Sequence, residues 1–346
     1  MYVILIGPSG TRKSTAMSIG YELLKRQGIF LAAESVTREA LIEDLEGQSE
    51  LSVQPGENIS AKDVSSHCSM TVYNDELAVF FRKGDEDFVR ALTAWYDCLD
   101  RFEYKTKNSG QNKLVGVWVN MIGATTPEIL NRVLPPEAYG GGLNSRIIYV
   151  YADRKGKVVP YPFRVQLNQD LFEDLHVDLE KIKMLRGQFK YSEEFLDQWG
   201  PWYLDSDKHP PFTDYHLSGY CHKRGTHLLK LCQIISASRG DDLIIAGTDF
   251  ARALDILVET EKNMEKVYKG VGENPQSQVL ERIKETIFRA GTISFKDLLA
   301  QFIFDVTGKD DLIRILVSLK AAGLCELEKV ENEKDGKYLM IHAIRS

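Results

Sequence analysis

Through roughly the first 155 residues, short unbroken apolar runs alternate with longer stretches in which apolar residues recur at helical spacing. The runs are Tyr2–Ile6, Ile29–Ala33, Met70–Tyr73, Val115–Ile122 and Ile147–Tyr151, and the amphipathic stretches include 13–26 and 86–99. A strand with one wet face alternates apolar and polar residues, whereas a strand covered on both faces reads as a continuous apolar run. Continuous runs separated by helices therefore predict an α/β core with a buried parallel sheet over 1–155. Trp118, inside the fourth run, is expected in that core.

From 156 to 272 the periodicity becomes mainly helical, most clearly in 225–238 and 248–268, with Thr248 as the expected N-cap of the latter. Pro201, Pro210 and Pro211 mark irregular connections. After a Gly272-Glu273-Asn274-Pro275 linker, the pattern predicts helices at 277–290, 295–303 and 309–322, with a short strand at 292–294. Two further strands, 324–327 and 338–341, flank a polar tip at Asp335-Gly336, which makes 273–346 read as a winged helix.

Charge and composition narrow the functional classes. The 346 residues carry 43 Lys and Arg against 50 Asp and Glu, a formal charge of −7. This excludes nucleic-acid binding by bulk positive charge and leaves room for a local basic stripe. Five scattered cysteines without a C-x-x-C pair argue against a disulfide scaffold or a structural zinc site. The histidines, at 67, 176, 209, 216, 222, 227 and 342, show no ligand spacing. No apolar run approaches the roughly 18 residues of a membrane span, so a soluble, cytoplasmic protein without a membrane partner is expected.

The first apolar run leads directly into Gly7-Pro8-Ser9-Gly10-Thr11-Arg12-Lys13-Ser14-Thr15, which opens a helix. This is the context of G-x-x-x-x-G-K-[ST], in which backbone amides and a helix N-terminus cradle phosphates, the lysine neutralises them and the hydroxyl meets Mg²⁺. Arg12 stands where the motif has its second glycine, so it must fit the loop without glycine's freedom or add a phosphate contact. A P-loop nucleotide site using ATP and Mg²⁺ is expected, with Lys13 also catalytic. Hydrolysis needs carboxylates at the end of a neighbouring strand. Met70-Thr71-Val72-Tyr73 runs into Asp75 and Glu76, assigned to Mg²⁺ and to water activation respectively, while Glu34 at the end of the second run is the competing base.

The order of the phosphate loop, Asp75-Glu76, a later strand ending Gly123-Ala124-Thr125-Thr126-Pro127, and Leu143-Asn144-Ser145-Arg146 before a final strand resembles the AAA+ ATPases. Within them it is similar to minichromosome-maintenance-type helicases and to ATPases encoded beside primases in phages and mobile elements. The resemblance implies a P-loop core of AAA+ rather than RecA type, a helical lid and a C-terminal winged helix. A base at Glu34 would instead fit a RecA-like arrangement. The resemblance further implies a γ-phosphate sensor at Thr126, with Thr125 next, and an arginine finger at Arg146, although Ile147 replaces the aromatic that follows it in the family. It also implies a lid arginine at Arg224 contacting the nucleotide.

The segment 101–113 mixes basic and aromatic residues around Asn108-Ser109-Gly110, a hairpin tip. The resemblance makes it a pore hairpin, with Lys105, Lys107 and Lys113 gripping single-stranded nucleic acid. In 276–346, eleven basic and eleven acidic residues balance, and the expected wing is acidic, which favours protein contact over DNA reading there. The expected function is an oligomeric ATP-driven motor of a phage or mobile element, a DNA helicase or translocase working as a homo-oligomeric ring, with a hexamer expected. The alternative is a nucleotide-driven switch such as a helicase loader or a regulatory or defence ATPase. Because the loop strand starts at Tyr2, either the chain is one piece of a larger protein or a separate partner is expected to supply an N-terminal domain.

Overall fold

The computed structural model describes residues 1–53, 64–81, 85–106, 110–134, 142–161, 168–268, 275–332 and 336–344. The chain forms two compact units, Met1–Val267 and Tyr268–Ser346. The helical middle region, expected over 156–272, falls within the first of these as far as Val267. It belongs to the unit that contains the sheet.

The first unit is built on a five-stranded sheet in the order β2-β3-β6-β1-β7. Its strands are β1 (Tyr2–Ile6), β2 (Ser49–Val53), β3 (Val64–Asn74), β6 (Val117–Thr125) and β7 (Ile147–Tyr151). β3, β6, β1 and β7 are parallel and only β2 runs against its neighbour. Tyr2, Ile4 and Ile6 of β1 are buried, as the unbroken apolar run requires. Register places Ile6 opposite Thr125 and Tyr151, so the carboxyl ends of β1, β6 and β7 share one edge. Asn74 lies opposite Gly123, which brings the end of β3 to the same edge.

Two apolar runs fold differently from expectation. Ile29–Ala33 contributes a single bridge, Leu31 with Thr71, held by Ala32 N donating to Thr71 O (3.0 Å) and Thr71 N donating to Phe30 O (3.0 Å). The other edge position beside β3 is taken by β2, pairing with residues 64–68. The Val115–Ile122 run is split at Gly116, whose φ is 58° and where a Cβ would sit 2.6 Å from Ser66 O. A side chain is excluded there by both backbone angle and space. Before the break lies a separate hairpin, β4 (Arg101–Thr106) with β5 (Gly110–Val115). After it, Trp118 is 54% exposed between the buried Val117 and Val119, because strand alternation turns it outward at this end of β6.

Helices α1 (Lys13–Arg26), α2 (Arg38–Gly47), α3 (Leu77–Phe80), α4 (Glu86–Tyr96) and α5 (Pro127–Val133) connect the strands. α4 buries Phe88, Ala91, Leu92, Trp95 and Tyr96, a stripe at helical spacing. The helical region comprises α6 (Gln169–Met184), α7 (Glu193–Lys208), α8 (Ser218–Arg239) and α9 (Gly247–Glu261), with a short parallel pair, β8 (Lys190–Tyr191) and β9 (Ile244–Ile245). α9 starts one residue before Thr248. The Asp249 carboxylate, rather than the Thr248 hydroxyl, closes its first turn by accepting from Ala246 N at 2.8 Å.

The second unit holds α10 (Pro275–Ala290), β10 (Thr292–Ser294), α11 (Phe295–Phe302), α12 (Lys309–Ala321), β11 (Cys325–Asn332) and β12 (Gly336–Ala343). Its sheet order is β10-β12-β11, both pairs antiparallel. Ile283, Ile287, Leu298, Leu312, Leu316 and Ile341 form a core of its own. Asp335 of the expected tip lies outside the described residues.

Candidate functional site

At the carboxyl edge of the sheet, β1 ends at Ile6 and the loop turns back at Gly7, where a Cβ would stand 2.1 Å from Ala152 O. Gly7 is thus dictated by close backbone approach to the end of β7. Gly10 has φ of 83° and Arg12 has φ of 66°, so the arginine occupies a left-handed conformation as the N-cap of α1. That is the backbone geometry glycine would adopt freely, so the loop keeps its shape and Arg12 carries the strain.

Lys13 folds back into the loop, donating to Gly7 O (2.7 Å), Pro8 O (3.0 Å) and Thr11 Oγ1 (3.4 Å). Thr11 in turn donates from Oγ1 to Pro8 O at 2.9 Å. Partial burial lowers the Lys13 pKa, opposed first by the charge of Glu76 and then by that of Glu128. Glu128 lies in the first turn of α5 and has no sequence signature of its own. Pro8, Ser9, Ser14 and Thr15 are exposed at the mouth.

Asp75 and Glu76 leave β3 exposed, level with Ala124 and Thr125 by register. Asn74 directs this exit. Its Nδ2 donates to Glu34 O (2.7 Å), and its Oδ1 accepts from Glu76 N (3.0 Å). The backbones of Glu76 and Glu34 are therefore tied to one buried amide. Asn74 was legible only as a polar residue closing an apolar run.

Of the two threonines ending β6, Thr126 is used as the N-cap of α5, accepting from Ile129 N at 3.4 Å. The Thr125 hydroxyl is buried with no hydrogen-bond partner among the described residues, although its carbonyl accepts from Gly7 N (3.4 Å). A buried hydroxyl without a partner is costly. Thr126 is thus engaged as a cap, while the Thr125 hydroxyl is not engaged by any described residue.

The two arginines lie elsewhere. Arg146 precedes Ile147, which pairs with Tyr2, so it sits at the amino edge, the length of a strand or roughly 15 Å from the loop. There it pairs with Asp97, donates to Gly142 O at 2.7 Å and lies 5.9 Å from the Tyr96 ring centre. It cannot serve its own chain's loop. Arg224 is buried in the helical layer, bidentate on Glu261 (2.7 and 2.8 Å), with Ser206 Oγ at 2.9 Å. Helix α8 packs on the amino edge, where His227 bonds Ser145 O (3.0 Å) and the Tyr96 hydroxyl (2.9 Å). A lid arginine over the loop is not what these contacts provide.

The basic segment does form a hairpin, with Lys105 opposite Gln111 and Lys113 opposite Glu103. Lys107 and the tip lie outside the described residues. Among those described, no three His, Cys, Asp or Glu are grouped to hold a metal ion, and no helix is long and apolar enough to cross a membrane. A scan against protein-family models found no match for this chain, and neither did a comparison with curated protein sequences.

Proposed function

We propose that the chain is a Mg²⁺-dependent ATPase whose site lies at the carboxyl edge of the first unit. The observation that carries this reading is the convergence of the Gly7–Ser14 loop with Asp75-Glu76 on one edge, with Glu76 the leading charge acting on Lys13. Ligands of open parallel sheets bind outside the carboxyl ends of the strands, where chain connections diverge to either side, and β1 lies between β6 and β7 at such a point.

The loop amides and α1's N-terminus would receive the phosphates, and Lys13 would exchange its loop carbonyls for phosphate oxygens. Ser14 and Asp75 are hard oxygen donors of the kind Mg²⁺ accepts while keeping most of its water. When bound, the ion would supply charge neutralisation on the phosphates. Glu76, with Glu34 as second candidate, would orient a water and take its proton. The water oxygen bonds to the terminal phosphorus as the bridging P–O bond breaks, and ADP departs with that electron pair. The Thr125 hydroxyl would donate to the transferred phosphoryl group. The test is paired: Lys13→Ala should lose ATP binding, and Glu76→Gln should bind ATP but lose turnover. Full turnover in Glu76→Gln together with none in Glu34→Gln would move the base to Glu34.

At the finer level we read the protein as an oligomeric AAA+-like motor on single-stranded nucleic acid, such as a helicase or translocase of a mobile element. The β4–β5 hairpin would be its contact and the second unit a winged helix. Arg146 would then act on a neighbouring subunit after leaving Asp97. ATPase stimulation by single-stranded DNA that disappears in Lys105→Ala/Lys107→Ala tests this. The second reading, a nucleotide-driven switch, is favoured by the pairing of Arg146 with Asp97 and of Arg224 with Glu261 within the chain. Turnover indifferent to nucleic acid would select it.

A further inference from the structure

Asn74 ends the eleven-residue strand β3 and is only 2% exposed. A buried amide is costly unless both of its ends are bonded, and here both are. The Oδ1 bond to Glu76 N is an Asx turn, which sets the direction in which Glu76 leaves the strand. The Nδ2 bond to Glu34 O extends the pairing of residues 30–32 with Thr71 by one further rung, made by a side chain where the backbone ladder has stopped. Three residues on, Thr37 caps α2, whose Leu41, Ile42 and Leu45 are fully buried and which packs on β3 and β5.

We propose that Asn74 is a positioning residue for hydrolysis, clamping the Glu76 backbone and the Glu34 segment into one bracket. This rests on the reading of the carboxyl edge as an ATPase site. A carboxylate that must hold a water in line gains its effect from placement, and a shift of about 1 Å can cost on the order of a hundredfold in rate. Asp75 and Glu76 are exposed beyond the strand end, so Asn74 is the buried group that fixes where they start. Its loss should therefore fall on turnover and leave nucleotide binding, made by the loop, in place.

The experiment measures steady-state ATP hydrolysis, binding of a fluorescent ATP analogue and thermal melting for wild type, Asn74→Ala and Asn74→Asp. Asn74→Ala is expected to lower kcat by at least about tenfold, with analogue affinity within about threefold of wild type. Asn74→Asp keeps an acceptor for the Glu76 amide, and only its protonated form can donate to Glu34 O. Its turnover should therefore lie between those of wild type and Asn74→Ala at matched analogue affinity, a graded kcat that a purely structural role would not produce. Turnover of Asn74→Ala within twofold of wild type overturns the inference, as does joint loss of binding, turnover and fold in both variants. A wild type that hydrolyses no ATP removes the ATPase reading and this inference with it. A hydrolysing wild type with an unaffected Asn74→Ala removes this inference alone.

Discussion

The two edges of the central sheet carry similar inventories of charge and put them to different use. At the amino edge, Asp97 holds both Arg146 and Lys223, Lys230 donates to Tyr96 O (2.8 Å), and α8 closes over the whole set. Behind it, Arg224, Glu261, Tyr220 and Ser206 satisfy one another. At the carboxyl edge, Lys13 bonds its own loop, Asp75 and Glu76 are exposed, and the Thr125 hydroxyl has no partner among the described residues. A completed polar network stabilises a fold, whereas an incomplete one is either a defect or a place kept for a ligand. The amino edge is the more heavily paired of the two, although Arg146 Nε is buried there without a partner among the described residues, and the carboxyl edge is the one we propose to take a ligand.

The largest effect should come from breaking the more heavily paired side. Arg224→Ala leaves Glu261 buried without its counter-charge and should destabilise the first unit by about 3–5 kcal/mol, read by denaturant unfolding. Any folded fraction should still bind ATP, because this arginine does not reach the loop. Preserved stability would show that the pair is not an essential clamp.

Acid should weaken the same side next. Burial lowers His227 from 6.5 to about 4, helped by the nearby Lys230 and opposed by the Ser145 bond. A carbonyl only accepts, so Nε2 carries the proton and Nδ1 accepts from Tyr96. The unfolded chain takes up a proton near pH 6.5 that the folded chain resists until about pH 4. Up to roughly 3 kcal/mol of stability, present above pH 6.5, should therefore be lost as pH falls through that window. His227→Gln should flatten this part of the stability profile.

The open edge should respond to ligand. MgATP at a hundred times its Kd should raise stability by about 2.7 kcal/mol, and Lys13→Ala should abolish that gain while changing the free protein little. An undiminished gain in Lys13→Ala would place the nucleotide elsewhere. Smallest of all, Arg12→Gly relieves a left-handed residue and should stabilise the free protein by about 1 kcal/mol, a rise of about 2 °C in Tm. A loss of stability would mean that the Arg12 side chain contributes more than its backbone costs.

The loop strand, the Asp-Glu strand and the alternation of elements in 1–155 were legible because each depends on neighbouring residues: an apolar run, a glycine at a tight approach, a carboxylate at a strand end. The run at 29–33 was not, since whether it becomes a strand depends on what else competes for the edge of β3. Val115–Ile122 looked continuous because one glycine within an apolar run gives no warning that Ser66 passes beneath it. Arg224 and Arg146 were read from their position in a motif order, yet their partners, Glu261 and Asp97, lie 37 and 49 residues away.

Asn74 marks the same division within the site. Its place before Asp75-Glu76 could be read directly, but its bond to Glu34, 40 residues earlier, could not. Local chemistry was enough to place the glycine loop after β1 and the Asp-Glu pair after β3, because backbone conformation and strand termination are short-range effects. Which charges were paired within the fold and which stayed exposed was settled by packing. Burial and pairing are properties of groups that meet only once distant segments have been brought together.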